Sequence, residues 1–117
     1  MIGSTRALKV WAYPAPCDLR KGFNSLSHLV TWQMGKEVLS GDCFLFTNRR
    51  RSTAKVLLWD GTGLCIYQKR LEGTRFARLW GGTPGEPLKL TMSELALFLE
   101  GSDLVGQRPL SPAEFHP

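Results

Sequence analysis

Between Asp42 and Arg70 three apolar runs, C-F-L-F-T, A-K-V-L-L-W and L-C-I-Y-Q-K-R, are separated by two short polar stretches. No other feature constrains the fold as much, because each run has the length of a strand and each gap that of a hairpin turn. The second gap, D-G-T-G at Asp60–Gly63, is a strong hairpin signal. The first carries Arg49, Arg50 and Arg51, although turns favour Gly, Asn, Asp, Pro or Ser for backbone reasons that arginine does not supply. Centring the second turn on Gly61 and Thr62 sets Trp59 opposite Leu64, Leu57 opposite Ile66 and Lys55 opposite Gln68. Centring the first on Arg50 and Arg51 sets Phe46 opposite Lys55 and Phe44 opposite Leu57.

Side chains alternate across a strand, so this register sorts them into two faces. One holds Phe44, Leu57, Trp59, Leu64 and Ile66; the other holds Cys43, Leu45, Val56, Leu58, Cys65 and Tyr67. Both are apolar, as expected for a sheet covered on two sides by helices or by a partner subunit. A homo-oligomer is therefore among the expected partners.

The same register gathers Arg49, Arg50, Arg51, Lys55, Lys69 and Arg70 at one end of the meander and Asp42 and Asp60 at the other. A slip by one residue would exchange the faces without moving this basic pole. The whole chain has 15 basic and 10 acidic residues, a formal charge of +5, which favours a polyanionic partner. A solvated tip that discourages edge pairing is the plainer explanation, but it needs fewer cations than converge here. Phosphate contact is the reading preferred. Tyr67 and Phe46 could stack on bases, but both are expected in the core.

The flanks supply helices. Ala7–Tyr13 suits a first strand ended by Pro14 and Pro16. Asp18 is placed as the N-cap of a helix whose apolar stripe is Leu19, Phe23, Leu26, Val30 and Met34, with Gly35 as its stop. Gly22 in its first turn costs ~1 kcal/mol against Ala, which points to a close backbone approach there. Arg20 and Lys21 would flank free N–H groups in that turn, a second phosphate site. Arg75–Trp80 reads as a short strand, Gly81–Pro87 as a loop and Leu88–Leu90 as an edge strand. Ser93 is placed as the cap of a helix carrying Leu95, Leu97, Phe98 and Leu99, ended by Gly101. The expected architecture is α+β: a single domain over 1–106, an antiparallel β-meander covered by two main helices, and a poorly ordered tail over 107–117.

Enzymatic readings find little support. Asp18, Asp42 and Asp60 each have a turn or cap explanation, so no carboxylate cluster for metal catalysis emerges. His28 and His116 have no nucleophile at a recognisable spacing. Cys17, Cys43 and Cys65 include no C-x-x-C pair, and Cys43 and Cys65 alternate into an apolar face as inert buried thiols. The glycines match neither a Walker loop nor a dinucleotide fingerprint. No catalytic residue, metal or cofactor is expected. No apolar run approaches the ~18 residues of a membrane span, so a soluble cytoplasmic protein without a membrane partner is expected.

D-L-R-K-G-F, F-L-F-T-N-R-R, K-V-L-L-W-D-G-T-G-L, Y-Q-K-R-L-E-G-T-R-F and L-A-L-F-L-E-G together resemble, in order and spacing, the accessory protein (TnpB, second reading frame) of the insertion-sequence family numbered sixty-six. That protein is unrelated to the RNA-guided nuclease sharing the TnpB label. The likeness runs from about Leu8 to Asp103, and W-D-G-x-G-L with the upstream arginines is its specific part. Pro16-Cys17 before Asp18 departs from the family pattern of a small residue followed by Thr or Val. The resemblance implies a small bacterial cytoplasmic protein that assists transposition beside a separate transposase holding the catalytic carboxylates. By motif it brings forward Asp18, Arg20, Lys21, Gly22, Arg49, Arg50, Lys55, Trp59, Asp60, Gly61, Gly63 and Arg70. The leading expectation is an accessory factor contacting nucleic acid, DNA above all, through Arg49, Arg50, Arg51, Lys55, Lys69 and Arg70, with Arg20 and Lys21 as a second site. The alternative is a module that docks on the transposase or another element-encoded protein through the second sheet face or Trp11, Trp32 and Trp80.

Overall fold

The computed structural model describes residues 8–82 and 85–101. The expected tail at 107–117 lies outside the described residues. Five strands form one sheet: β1 (Val10–Ala12), β2 (Cys43–Thr47), β3 (Thr53–Trp59), β4 (Leu64–Arg70) and β5 (Leu88–Leu90). Their order across the sheet is β4-β3-β2-β1-β5. β2, β3 and β4 are the expected antiparallel meander, and every cross-strand pair read from the turns is present, Phe44 with Leu57 and Leu57 with Ile66 included. The sheet as a whole is mixed, because β1 runs parallel to β2, pairing Val10 with Cys43 and Ala12 with Leu45. A parallel pair needs a long crossover, and the segment between β1 and β2 supplies it.

That crossover contains α1 (Phe23–His28), which continues as a wider π-helical turn over Leu29–Gln33. Leu26, Val30 and Met34 from it pack with Phe44, Phe46 and Leu57 on one face of the sheet. Gly35, at φ +67°, ends the helical run as expected. Its start is corrected. Gly22, not Asp18, occupies the N-cap, so Arg20 and Lys21 precede the helix rather than standing in its first turn. An Asx-type turn captures Asp18 instead: its Oδ1 accepts the Arg20 backbone N–H at 3.0 Å. Nothing lies within 4 Å of a Cβ built on Gly22, so no close approach explains that glycine. Phe23, assigned to the apolar stripe, is 48% exposed because the helix begins there and turns it outward.

On the opposite face α2 (Met92–Leu99) packs Leu95 and Phe98 against Val10, Leu45 and Val56. Its cap is Thr91 rather than Ser93. Thr91 and Glu94 form a reciprocal capping box, with Glu94 N–H donating to Thr91 Oγ1 at 3.1 Å and Thr91 N–H to Glu94 Oε1 at 2.8 Å. Arg75–Trp80 is not a strand. It crosses this face irregularly and buries Phe76, Ala77 and Leu79 beneath α2, Phe76 stacking on Phe98 at 5.0 Å between ring centroids. A short apolar stretch can thus fill a core without pairing into a ladder.

Candidate nucleic-acid interface

The parallel pairing of β1 with β2 decides what lies at the basic pole. Because both strands run the same way, the segment leaving β1 emerges at the end where β2 enters the arginine turn. Tyr13 N–H donates to Leu45 O, and Cys17 N–H to Thr47 O, both at 2.9 Å, stitching the segment there. The D-L-R-K stretch and the arginine turn, some thirty residues apart, therefore face one another. Between them lies an open groove of about 970 Å³ lined by Asp18, Leu19, Arg20, Asn48, Arg49, Arg50, Thr53 and Gln68, with Pro16 and Cys17 at its base. Arg20 from one expected site and Arg49 and Arg50 from the other thus line one groove.

Asn48 builds the turn. Its Oδ1 accepts from the backbone N–H groups of Ser52 (2.9 Å) and Thr53 (3.2 Å), and its Nδ2 donates to Ser52 Oγ at 3.0 Å. Arg51 takes the left-handed conformation at φ +60°, the strained position that a turn usually gives to glycine. Arg51 is used structurally: its Nη1 donates to Phe76 O at 3.3 Å, and Phe76 N–H donates back to Arg51 O at 2.7 Å. The turn is thereby tied to the buried 75–80 segment. This leaves Arg49 and Arg50 exposed, with no acidic partner among the described residues.

The other candidates divide the same way. Lys55 is 8% exposed and sits on the α1 face, its Nζ donating to Lys21 O at 2.8 Å. In the fold it serves as an internal strut. Lys69 Nζ donates to Leu99 O at 2.7 Å, placing an ammonium on the C-terminal end of α2 where the helix dipole favours it. Arg70 is exposed and paired with Glu72 at 2.9 Å. Arg20 is 91% exposed and meets Asp18 with two nitrogens, at 2.7 to 3.2 Å. That guanidinium holds the Asp18 carboxyl far below the usual carboxylate range. An exposed pair of this kind exchanges readily with solvent or a competing anion. Lys21 is half-buried, its ammonium without an acidic partner among the described residues.

At the opposite pole Asp60 Oδ1 accepts from Thr62 N–H and Gly63 N–H, both at 2.9 Å, and these bonds lower its pKa to about 2. Cys65 is half-buried rather than buried, and its Sγ lies 3.5 Å from Asp60 Oδ2. Asp42 Oδ2 accepts from Trp11 Nε1 at 3.2 Å. Burial pushes the Cys17 thiol up, with Lys21 pulling the other way. Phe46 is fully buried as expected, whereas Tyr67 is 50% exposed on the edge strand. Among the described residues no group of three or more His, Cys, Asp or Glu side chains is placed to hold a metal ion. Among them, too, no helix is long and apolar enough to cross a membrane.

Sequence reasoning missed Asn48 and Gln68 as lining residues. Asn48 carried a signal, since Asn is a favoured opening residue of a turn. Gln68 carried none beyond its register opposite Lys55. Replacing the strut, Lys55→Met, is expected to cost about 1–3 kcal/mol, because the Lys21 carbonyl loses a charged donor in a buried setting. Urea denaturation measures that loss, and amide exchange in 18–22 should accelerate more than exchange in α2. Uniform acceleration would show that Lys55 does not anchor this loop.

Residues 8–109 match the family described as "IS66 Orf2 like protein". Two proteins of Sinorhizobium fredii (strain NBRC 101917 / NGR234) are similar along most of their length. Uncharacterized protein y4hO is 33% identical over 103 residues, 88% of this chain and 88% of its own. Uncharacterized protein y4jC is 30% identical over 103 residues, 88% of this chain and 86% of its own. No solved structure matches the chain.

Proposed function

The chain belongs to the IS66 Orf2-like family, and from that premise we propose that it is a non-catalytic accessory factor of insertion-sequence transposition that holds DNA by its phosphates. The observation carrying this reading is the groove between Arg20 and the Arg49–Arg50 pair, where two cationic segments far apart in sequence line one open concavity. Arg49 and Arg50 supply guanidiniums free of acidic partners among the described residues. Arg20 can trade its exposed bond to Asp18 for a phosphate, and Arg70 stands on the same sheet face as Gln68. Guanidinium forks match phosphate oxygens bidentately, so this set suits backbone contact rather than base reading. Each phosphate neutralised releases counterions, so affinity should fall steeply with salt, by about 0.9 in log–log slope per contact on duplex DNA. Fluorescence anisotropy of labelled duplex and single strands across a salt series tests it. A flat salt dependence, or no binding at low salt, would end the nucleic-acid reading.

A second reading, docking on the transposase or another element-encoded protein, is favoured by Trp32. Its ring is 70% exposed on the α1 side, within 6.1 Å of the His28 ring. Trp11, by contrast, lies beneath Lys36, whose Nζ is 3.5 Å from the ring centre. Large exposed indoles are costly unless a partner covers them. Co-purification with the neighbouring transposase that survives loss of Arg49 and Arg50 but fails for Trp32→Ala would support docking over nucleic-acid contact.

A further inference from the structure

We propose that two copies of the chain pair through the outer edge of β4, forming one continuous ten-stranded sheet with Tyr67 on the two-fold axis. Among the described residues β4 is an edge strand, bonded to β3 alone. Its ladder with β3 runs through seven consecutive pairs, from Trp59–Leu64 to Thr53–Arg70, with no bulge to twist the edge away. The strand contains no proline. The other edge, β5, is only three residues long, follows Pro87 directly and carries Lys89 at its centre, the usual protections of an exposed edge.

The outward groups follow from parity. Leu71 N–H donates to Ser52 O at 2.8 Å and Asp60 N–H to Gly63 O at 3.0 Å, so bonded pairs with β3 fall at odd-numbered β4 residues. The N–H and C=O groups of Leu64, Ile66, Gln68 and Arg70 therefore face outward. An antiparallel copy that pairs Ile66 with Gln68 and Leu64 with Arg70 satisfies all of them, and sets Tyr67 across from its counterpart at a close, non-bonded position. Charge selects this direction. It lays Arg70 of each copy beside the other's Asp60–Gly63 turn, whereas a parallel alignment would bring the two basic poles together. Such a pairing is self-complementary and closes after two copies.

Tyr67 fits the axis in a second way. Half exposed, it forms the β4 wall of an apolar groove of about 270 Å³ lined by Val56, Leu58, Met92, Leu95 and Leu99 among others. A partner ring beside Tyr67 would extend that wall and cover it. The pairing engages the backbone of Gln68 and Arg70 but leaves Arg20, Arg49 and Arg50 outside the seam, so its test does not depend on nucleic-acid contact.

Sedimentation velocity of the full chain over a concentration series tests the pairing. A mass moving from 13.1 kDa to twice that value is expected. Tyr67→Lys, which sets two ammoniums face to face on the axis, should weaken the dimer at least tenfold while its far-UV spectrum stays intact. Tyr67→Cys should form an intermolecular disulfide under mild oxidation, since Cα atoms at such a pair lie within bonding range. A chain that stays monomeric at millimolar concentration overturns the proposal. So does a dimer indifferent to both substitutions, which would use another surface. Ile66 and Gln68 amides protected from exchange in a monomer would likewise overturn it, by showing that another part of the chain covers the edge.

Discussion

Phe76→Ala is expected to lower the free energy of unfolding by about 3–5 kcal/mol, the largest effect of any single truncation considered for this domain. The ring is fully buried, stacks on Phe98 and lies beneath α2, in a segment with no ladder of its own. Its removal loses apolar transfer energy and leaves a cavity that the strands beneath cannot collapse to fill. It also loosens the turn, since Phe76 exchanges hydrogen bonds with Arg51 through its backbone. Against a total stability of roughly 5–15 kcal/mol, a loss of that size should lower the melting temperature by about 10–20 °C. Urea denaturation of Phe76→Ala beside Phe23→Ala makes the comparison sharp. Phe23 is 48% exposed and should cost about 1 kcal/mol or less. Equal costs would mean that the core is not centred where the structure places it.

Removing Arg20, Arg49 and Arg50 together (Arg20→Ala, Arg49→Ala, Arg50→Ala) should weaken duplex binding about a hundredfold near physiological salt, if each contacts one phosphate. The log–log salt slope should become shallower by about 2.7 in the same variant. Stability should change little, because Arg49 and Arg50 are exposed and the Arg20–Asp18 pair is solvated. The matched control is Arg51→Ala. Arg51 donates to Phe76 O and holds the left-handed position, so its loss should appear in unfolding more than in salt slope. If Arg51→Ala changes the slope as much as the triple variant does, the division of the arginines into free and structural is wrong.

Much of the meander was legible in advance. D-G-T-G sets the second turn, the centred arginines set the first, and period-two alternation then assigns both faces without tertiary information. The sequence likewise exposed the two poles, because a hairpin register is a local consequence of its turns. What misled was helix entry. Asp18 and Thr91 both precede apolar periodicity within a few residues of another cap candidate, and choosing among neighbours depends on where packing lets the first turn begin. Arg75–Trp80 misled for a related reason, since a short apolar stretch becomes a strand only when a neighbouring edge is free to receive it.

The candidate site divides along the same line. Sequence alone determined that cations cluster at one end of the meander, for the turn chemistry of Asp60–Gly63 and the length of three strands leave them nowhere else. Only tertiary structure decided which of them are free. Burial of Lys55, the helix end beneath Lys69 and the carbonyl beside Arg51 are contacts between segments distant in the chain, invisible to any local pattern. The joining of Arg20 to Arg49 and Arg50 was decided there too, by a three-residue strand whose parallel pairing with β2 delivers the crossover to the basic end. Strand direction is a property of the assembled sheet, where long-range hydrogen bonds and burial outweigh anything those three residues prefer by themselves.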